Sequence, residues 1–193
     1  MEWPLPDRDA LREALLAAYG DPRRGYHDTR HLAEVLDRIA ELAETTAFDR
    51  DRVVLAAWFH DAVYDGQPGA EERSARWALD ELGDEEVARL VRLTEHHRPA
   101  EDDANGCVLS DADLAILAAP PERYAEYTVT VRREYAAVPD DAFAAGRSAI
   151  LRDLLAKPRL FHTAQARARW EATARANVER ELSVLASGGA ARP

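Results

Sequence analysis

The chain has 193 residues, 47% hydrophobic and 32% charged, with a net charge of −11 and a lone cysteine, Cys107. This balance excludes a disordered chain. It disfavours a long nucleic acid, which needs clustered cations, and one cysteine cannot form an intrachain disulfide and suits a reducing cytoplasm. No apolar run approaches the roughly 20 residues that span a bilayer, and the start, Met1 to Ala10, lacks a signal peptide's basic and apolar regions, so the expectation is a cytoplasmic protein with no membrane partner.

The pattern is helical almost throughout. A first helix is predicted over 7–18, opened by Pro6-Asp7 and closed by Gly20 and Pro22. A second, from Asp28 to about Glu44, repeats apolar residues at helical spacing through Leu32, Val35, Leu36, Ile39 and Leu42. The third, from about Arg52 to Tyr64, is apolar on every side and contains the pair His60-Asp61. Two amphipathic helices follow, over 71–82 and 85–97, divided by Gly83-Asp84 and stopped by Pro99. A polar loop, 100–106, leads to a helix over 108–117 that Pro120-Pro121 ends. Helices over 122–137, 141–156 and 163–186 complete the chain. Period-2 alternation never persists, so the fold class is all-α, in one domain.

Four places carry imidazoles or carboxylates that an ordinary helical bundle does not need. In Tyr26-His27-Asp28-Thr29-Arg30-His31 the two histidines are four apart and share a face if the helix starts early; otherwise His27 caps the helix and His31 is an interior histidine. His60-Asp61 places a carboxylate in apolar surroundings, which is costly unless the charge is paired or bound to a cation. The alternative is a buried ion pair with an arginine, where desolvation often exceeds the Coulombic gain. In Thr94-Glu95-His96-His97, His97 lies on the inner side of the turn and His96 faces away, although a histidine at a helix C-terminus also suits the helix dipole. In the Ser110-Asp111-Ala112-Asp113 segment, Ser110 and Asp113 have the spacing of a capping box. Asp111 and Asp113 point about 200° apart on a helix, so one carboxylate serves structure while the other reaches a metal. The residues do not choose between them.

Imidazole with carboxylate suits manganese, iron, cobalt, nickel or zinc better than magnesium. Three or four protein ligands leave open positions, as a catalytic site requires. Two other metal motifs fail. Asp111, Asp113 and Glu122 match an EF-hand loop at positions one, three and twelve, but Ile116 stands where the turn glycine belongs. His27 and His31 have zincin spacing, but Asp28 replaces the glutamate base. Nucleophile elbows, phosphate-binding glycine loops and CxxC pairs are absent from the sequence.

The ordered set His31, His60-Asp61 and one of Asp111 or Asp113 resembles the HD-domain superfamily of metal-dependent phosphohydrolases, whose ligands run His, His-Asp, Asp. The context is similar to a small bacterial branch named as predicted metal-dependent phosphohydrolases. It covers Tyr26-His27…His31, Trp58 to Asp65, Glu71 to Ala75, Thr94…His97, Asp111 to Leu117, Arg132 to Tyr135 and Gly146-Arg147, roughly residues 24 to 180. Ala118 departs from the pattern where a glycine is expected after the aspartate helix. The resemblance implies an HD-type helical bundle over 1–187, with a frayed tail over 188–193. It implies a divalent metal held by His31, His60, Asp61 and Asp111 or Asp113, and a small phosphorylated substrate such as a nucleotide.

In that reading His97 is a second-metal ligand, a phosphate contact or a proton donor, and Glu71 or Glu72 orients water or acts as general base. Arg24, Arg30, Arg98 and Arg147 are the candidate phosphate partners, Arg147 first because Gly146 lets a backbone approach. Two other functions compete: a metal-stabilised nucleotide-binding module without turnover, and an HD-like diiron oxygenase, which needs extra histidines of which His97 is the only credible one. Nothing in the sequence fixes the oligomeric state.

Overall fold

The structure, a computed structural model, describes residues 1–188, and among these every regular element is a helix. The nine α-helices are α1 (Asp9–Tyr19), α2 (Thr29–Leu42), α3 (Arg50–Phe59), α4 (Ala70–Leu82), α5 (Glu85–Leu93), α6 (Ala104–Leu114), α7 (Pro121–Glu134), α8 (Asp140–Ala156) and α9 (Ala164–Ala186). A 3-10 turn, Ala115–Ala118, joins α6 to α7. Of the expected frayed tail, 189–193 lie outside the described residues. No described helix is long and apolar enough to cross a membrane.

Helix α3 is the axis of the packing. Its residues from Val53 to Phe59 are all buried, and it contacts α2, α4, α5 and α6. A helix apolar on every face must be surrounded, because each exposed face would leave hydrocarbon in water. Helices α2 and α5 are amphipathic and turn one stripe inward, Leu32, Val35, Leu36, Ile39 and Leu42 on α2 and Val87, Leu90 and Val91 on α5. The C-terminal helix α9 packs on α8 and on the 3-10 turn. Several helix starts are capped by a side chain placed one residue earlier: Asp28, Asp49, Asp84, Asp103 and Thr163 each accept from amides of the first turn.

Three boundaries differ from the sequence expectation where the site is built. The third helix ends at Phe59, not Tyr64. The amide of Asp61 leaves the helical ladder to donate to the Tyr19 hydroxyl (3.2 Å), and the Arg24 guanidinium takes the freed carbonyls of Asp61 (2.8 Å) and Ala62 (3.0 Å). The fifth helix ends at Leu93 and the chain turns back through Thr94 to His97, the one non-glycine residue with positive φ (50°) among those described. The sixth starts at Ala104 inside the expected loop, because Asp103 accepts from the Gly106 amide (2.9 Å).

Candidate metal centre

Helix α2 opens after His27, since the Asp28 carboxylate accepts from the amides of Arg30 (2.9 Å) and His31 (3.1 Å). His27 and His31 therefore do not share a helical face, contrary to one sequence expectation. Their rings still meet at 5.6 Å because the preceding loop folds back. That fold depends on Gly25, where a Cβ would collide with the Thr130 carbonyl oxygen. His27 is fixed by Glu134, with Nδ1 2.6 Å from the carboxylate, and stacks on Tyr64 at 3.9 Å.

Three helix ends then bring four donors together. His31 comes from the first turn of α2, His60 and Asp61 from the exit of α3, and Asp113 from the last turn of α6. The two Nε2 atoms of His31 and His60 face each other at 3.1 Å. Asp113 Oδ1 lies 3.2 Å from His31 Nε2 and 3.6 Å from His60 Nε2. Asp61 Oδ2 lies 3.3 Å and 3.0 Å from the same two atoms. His31, His60 and Asp113 meet the spacing of a metal-binding group; Asp61 joins them through the two imidazoles. At metal–donor bonds of about 2.0–2.1 Å, neighbouring donors of one ion sit about 3.0–3.4 Å apart, and these separations fall in or close to that range. The donor chemistry and the spacing fit one divalent ion.

The surroundings orient the donors. His60 Nδ1–H donates to the Ala57 carbonyl (2.7 Å), which turns the Nε2 lone pair toward the centre. The Tyr19 hydroxyl is 3.3 Å from the same carbonyl and 3.4 Å from Nδ1. The Tyr26 ring lies 4.7 Å from that of His31, and its buried hydroxyl has no hydrogen-bond partner among the described residues. Burial opposes every charge here, yet the ion pairs prevail. Asp61 and Asp113 are held well below the usual carboxylate range by the imidazoles beside them. His31 and His60 are held above the usual histidine value by the two carboxylates. His97 goes the other way, pushed down to about 4 by burial.

Through Asp113 the centre adjoins a cleft of about 480 Å³ whose wall also includes His97, His27, Tyr127, Arg98, Arg147 and Lys157. His97 Nδ1 is 3.2 Å from Ser110 Oγ and Nε2 is 3.5 Å from Asp113 Oδ2, so Ser110 serves His97 and is not a helix cap.

Several candidate residues fall elsewhere. Asp111 points away from the imidazoles and accepts from the amides of His162 and Thr163, both at 2.7 Å. Arg24 is buried and spends its donors on the carbonyls of His27, Asp61 and Ala62, so it shapes the exit of α3 and does not face the cleft. Arg30 is on the surface, paired with Glu34 and Glu126. Glu72 pairs with Arg92 on the surface. Glu71 sits in the first turn of α4, and neither glutamate lines the cleft. Arg98 lines it from the surface, paired with Asp153 (3.0 Å). Arg147 lines it as part of a buried pair with Glu181 (2.7 Å), its other arm 2.7 Å from the Tyr127 hydroxyl. The space around Gly146 is open, so the close approach expected there does not occur.

Sequence reasoning passed over Tyr19, Glu134 and Lys157. Each acts across a long separation, Tyr19 on the amide of Asp61, Glu134 on His27, and Lys157 on the carbonyls of His96 (2.8 Å) and His97 (3.3 Å). Only the run Arg132 to Tyr135 in the family pattern touched one of them.

Neither the curated proteins nor the solved structures gave a significant match to the chain. The family model described as HD domain matches residues 29–119. That stretch begins at the first residue of α2 and ends just beyond the 3-10 turn, so it encloses His31, His60, Asp61 and Asp113 in the order of the helices that carry them. By this match, and in keeping with the all-helical architecture, residues 29–119 carry an HD domain.

Proposed function

We propose that this protein is a metal-dependent phosphohydrolase that cleaves a phosphate ester of a nucleotide or another small phosphorylated metabolite, built as one domain over residues 1–187. The observation that carries this reading is the convergence of His31, His60 and Asp61 on Asp113, which itself stands in the wall of a cleft. A closed structural site would have no such opening.

His31, His60, Asp61 and Asp113 would hold the ion, a first-row transition metal in preference to magnesium on donor type. A divalent ion held there would bring the pKa of a water toward neutrality and offset charge on phosphoryl oxygens. Tyr19 and the Ala57 carbonyl keep His60 in one tautomer and orientation. His97, beside Asp113 and facing the cleft, is placed to meet the phosphoryl group or the leaving oxygen. His27, held by Glu134, forms another part of the wall. Arg147 and Lys157 supply donors and positive charge without moving, since both are tied into the fold.

The test is elemental analysis of protein as isolated, followed by a phosphatase screen over nucleotides and sugar phosphates with manganese, cobalt, nickel or magnesium. The expected result is a bound transition metal and turnover of at least one phosphomonoester, both lost in His60→Ala and Asp61→Ala. Unchanged metal content in folded Asp61→Ala protein would remove that residue from the ligand set.

A further inference from the structure

Beyond His97 the cleft continues into a second recess of about 700 Å³, which shares His97, Arg98, Asp153 and Lys157 with it and adds Arg159 and His162. The chain as a whole is strongly acidic, yet here three cations converge from two connections, Arg98 after α5 and Lys157 and Arg159 between α8 and α9. Among the described residues two carboxylates pair directly with these cations, while Glu171 and Asp111 lie behind them near His162. Asp153 pairs with Arg98 and Glu101 with Arg159, and their side chains are 59% and 84% exposed. Exposed pairs of this kind are worth little and exchange readily for another anion. The Lys157 ammonium, half-buried, has carbonyl oxygens and, among the described residues, no carboxylate within hydrogen-bond distance.

A second observation is independent of the charge count. His162 Nε2 is buried and has no hydrogen-bond partner among the described residues, a condition that calls for an explanation. The His162 amide is held by Asp111 (2.7 Å) and its carbonyl by Arg167. Arg159, Lys157 and Arg167 all bear on this imidazole, which burial and their charges together hold below its ordinary pKa.

We infer that this recess is a phosphate-binding subsite, formed by Lys157, Arg159, Arg98 and His162, that takes a second phosphate group of the substrate. The existence of the subsite stands on its own geometry; its use by substrate rests on the phosphohydrolase reading. Arginine forks and an ammonium are the donors that phosphate oxygens prefer, and a subsite joined to the metal centre through His97 selects a small molecule with two separated phosphates over a simple monoester.

Two measurements test this separately. Calorimetric titration of EDTA-treated protein with inorganic phosphate should give saturable binding, about tenfold or more weaker in Arg159→Glu and weakened also in His162→Phe. Circular dichroism checks that the variants fold. Absence of saturable binding, or equal binding by wild type and both variants, overturns the subsite. In the second arm, manganese-loaded enzyme is offered adenosine 3′,5′-bisphosphate and adenosine 5′-monophosphate. The expected result is a higher kcat/KM for the bisphosphate that Arg159→Glu reduces toward that of the monophosphate; equal kcat/KM in wild type overturns the substrate assignment. Phosphate binding without hydrolysis of any ester sinks the phosphohydrolase reading and leaves the subsite standing. Ester hydrolysis without phosphate binding does the reverse.

Discussion

Two aspartates on α6, Asp111 and Asp113, stand two residues apart and belong to different halves of the molecule. Asp113 faces His31, His60 and His97, and those imidazoles hold its carboxyl well below the usual range despite burial. Asp111 faces the far side, where it binds the amides of His162 and Thr163 and so joins α6 to the start of α9. Burial pushes its carboxyl up to about 6, because two neutral amides offset less than three imidazoles do. Burial alone therefore does not identify a ligand. What decides is the kind of group that the carboxylate meets: imidazoles that compete for a cation, or backbone amides that consume the charge.

Replacing each aspartate should fail in a different way. Asp113→Ala removes a donor from the centre, and because even outer partners of a metal site are worth about 10–100-fold in affinity, metal content and hydrolysis should both drop below detection while circular dichroism stays helical. Metal retained at full stoichiometry would break the comparison. Asp111→Ala strands one buried and one part-buried amide at about 1–3 kcal/mol each, so urea unfolding should show a loss of about 2–6 kcal/mol. Metal bound per folded molecule should hold. A variant that loses metal but not stability would place Asp111 in the centre after all.

How much of this was legible in the sequence follows from the same contrast. Apolar spacing on α2 and the all-round apolar run of α3 were enough to read those elements, because each reports a single packing face or its absence. The order of His31, His60-Asp61 and an aspartate was enough to bring the right segments together. The choice between Asp111 and Asp113 was not readable. Its deciding partners on one side are backbone amides at the start of α9, and an amide leaves no mark on the amino-acid string. Helix exits were hidden for a similar reason: α3 stops where the Tyr19 hydroxyl and the Arg24 guanidinium take over its hydrogen bonds, and His97 turns where Lys157 holds its carbonyl.

The two carboxylates should also give metal-free protein opposite pH dependences. Asp111 has a folded pKa of about 6, above the value of 3.8 it has when unfolded. The native state then holds the proton more tightly, so this group's contribution is present below pH 3.8 and is lost as pH rises toward 6. Asp113 is depressed, so its contribution is present above pH 3.8 and is lost as pH falls below that value. Stability measured by urea across pH 3 to 7 after EDTA treatment should therefore decline less steeply between pH 4 and 6 in Asp111→Asn than in wild type. An unchanged profile would mean that Asp111 does not titrate in that window.

The smallest effect is chemical and reports on one face alone. Cys107 lies one helical turn before Asp111 on α6, buried, with Sγ 3.5 Å from the Ala100 carbonyl oxygen. Burial pushes its thiol up to about 11, with Asp111 and Asp103 adding to the shift, so almost no thiolate exists at neutral pH and a disulfide reagent should label the folded protein slowly. Labelling then tracks local opening. Asp111→Ala loosens the join between α6 and α9 and should speed the reaction by up to the factor by which it lowers stability. Asp113→Ala, which acts on the opposite face, should leave the rate within a few-fold of wild type. Equal acceleration in both variants would mean that the two faces of α6 open as one unit, and the division between a metal-facing and a structural aspartate would then describe contacts but not energetics.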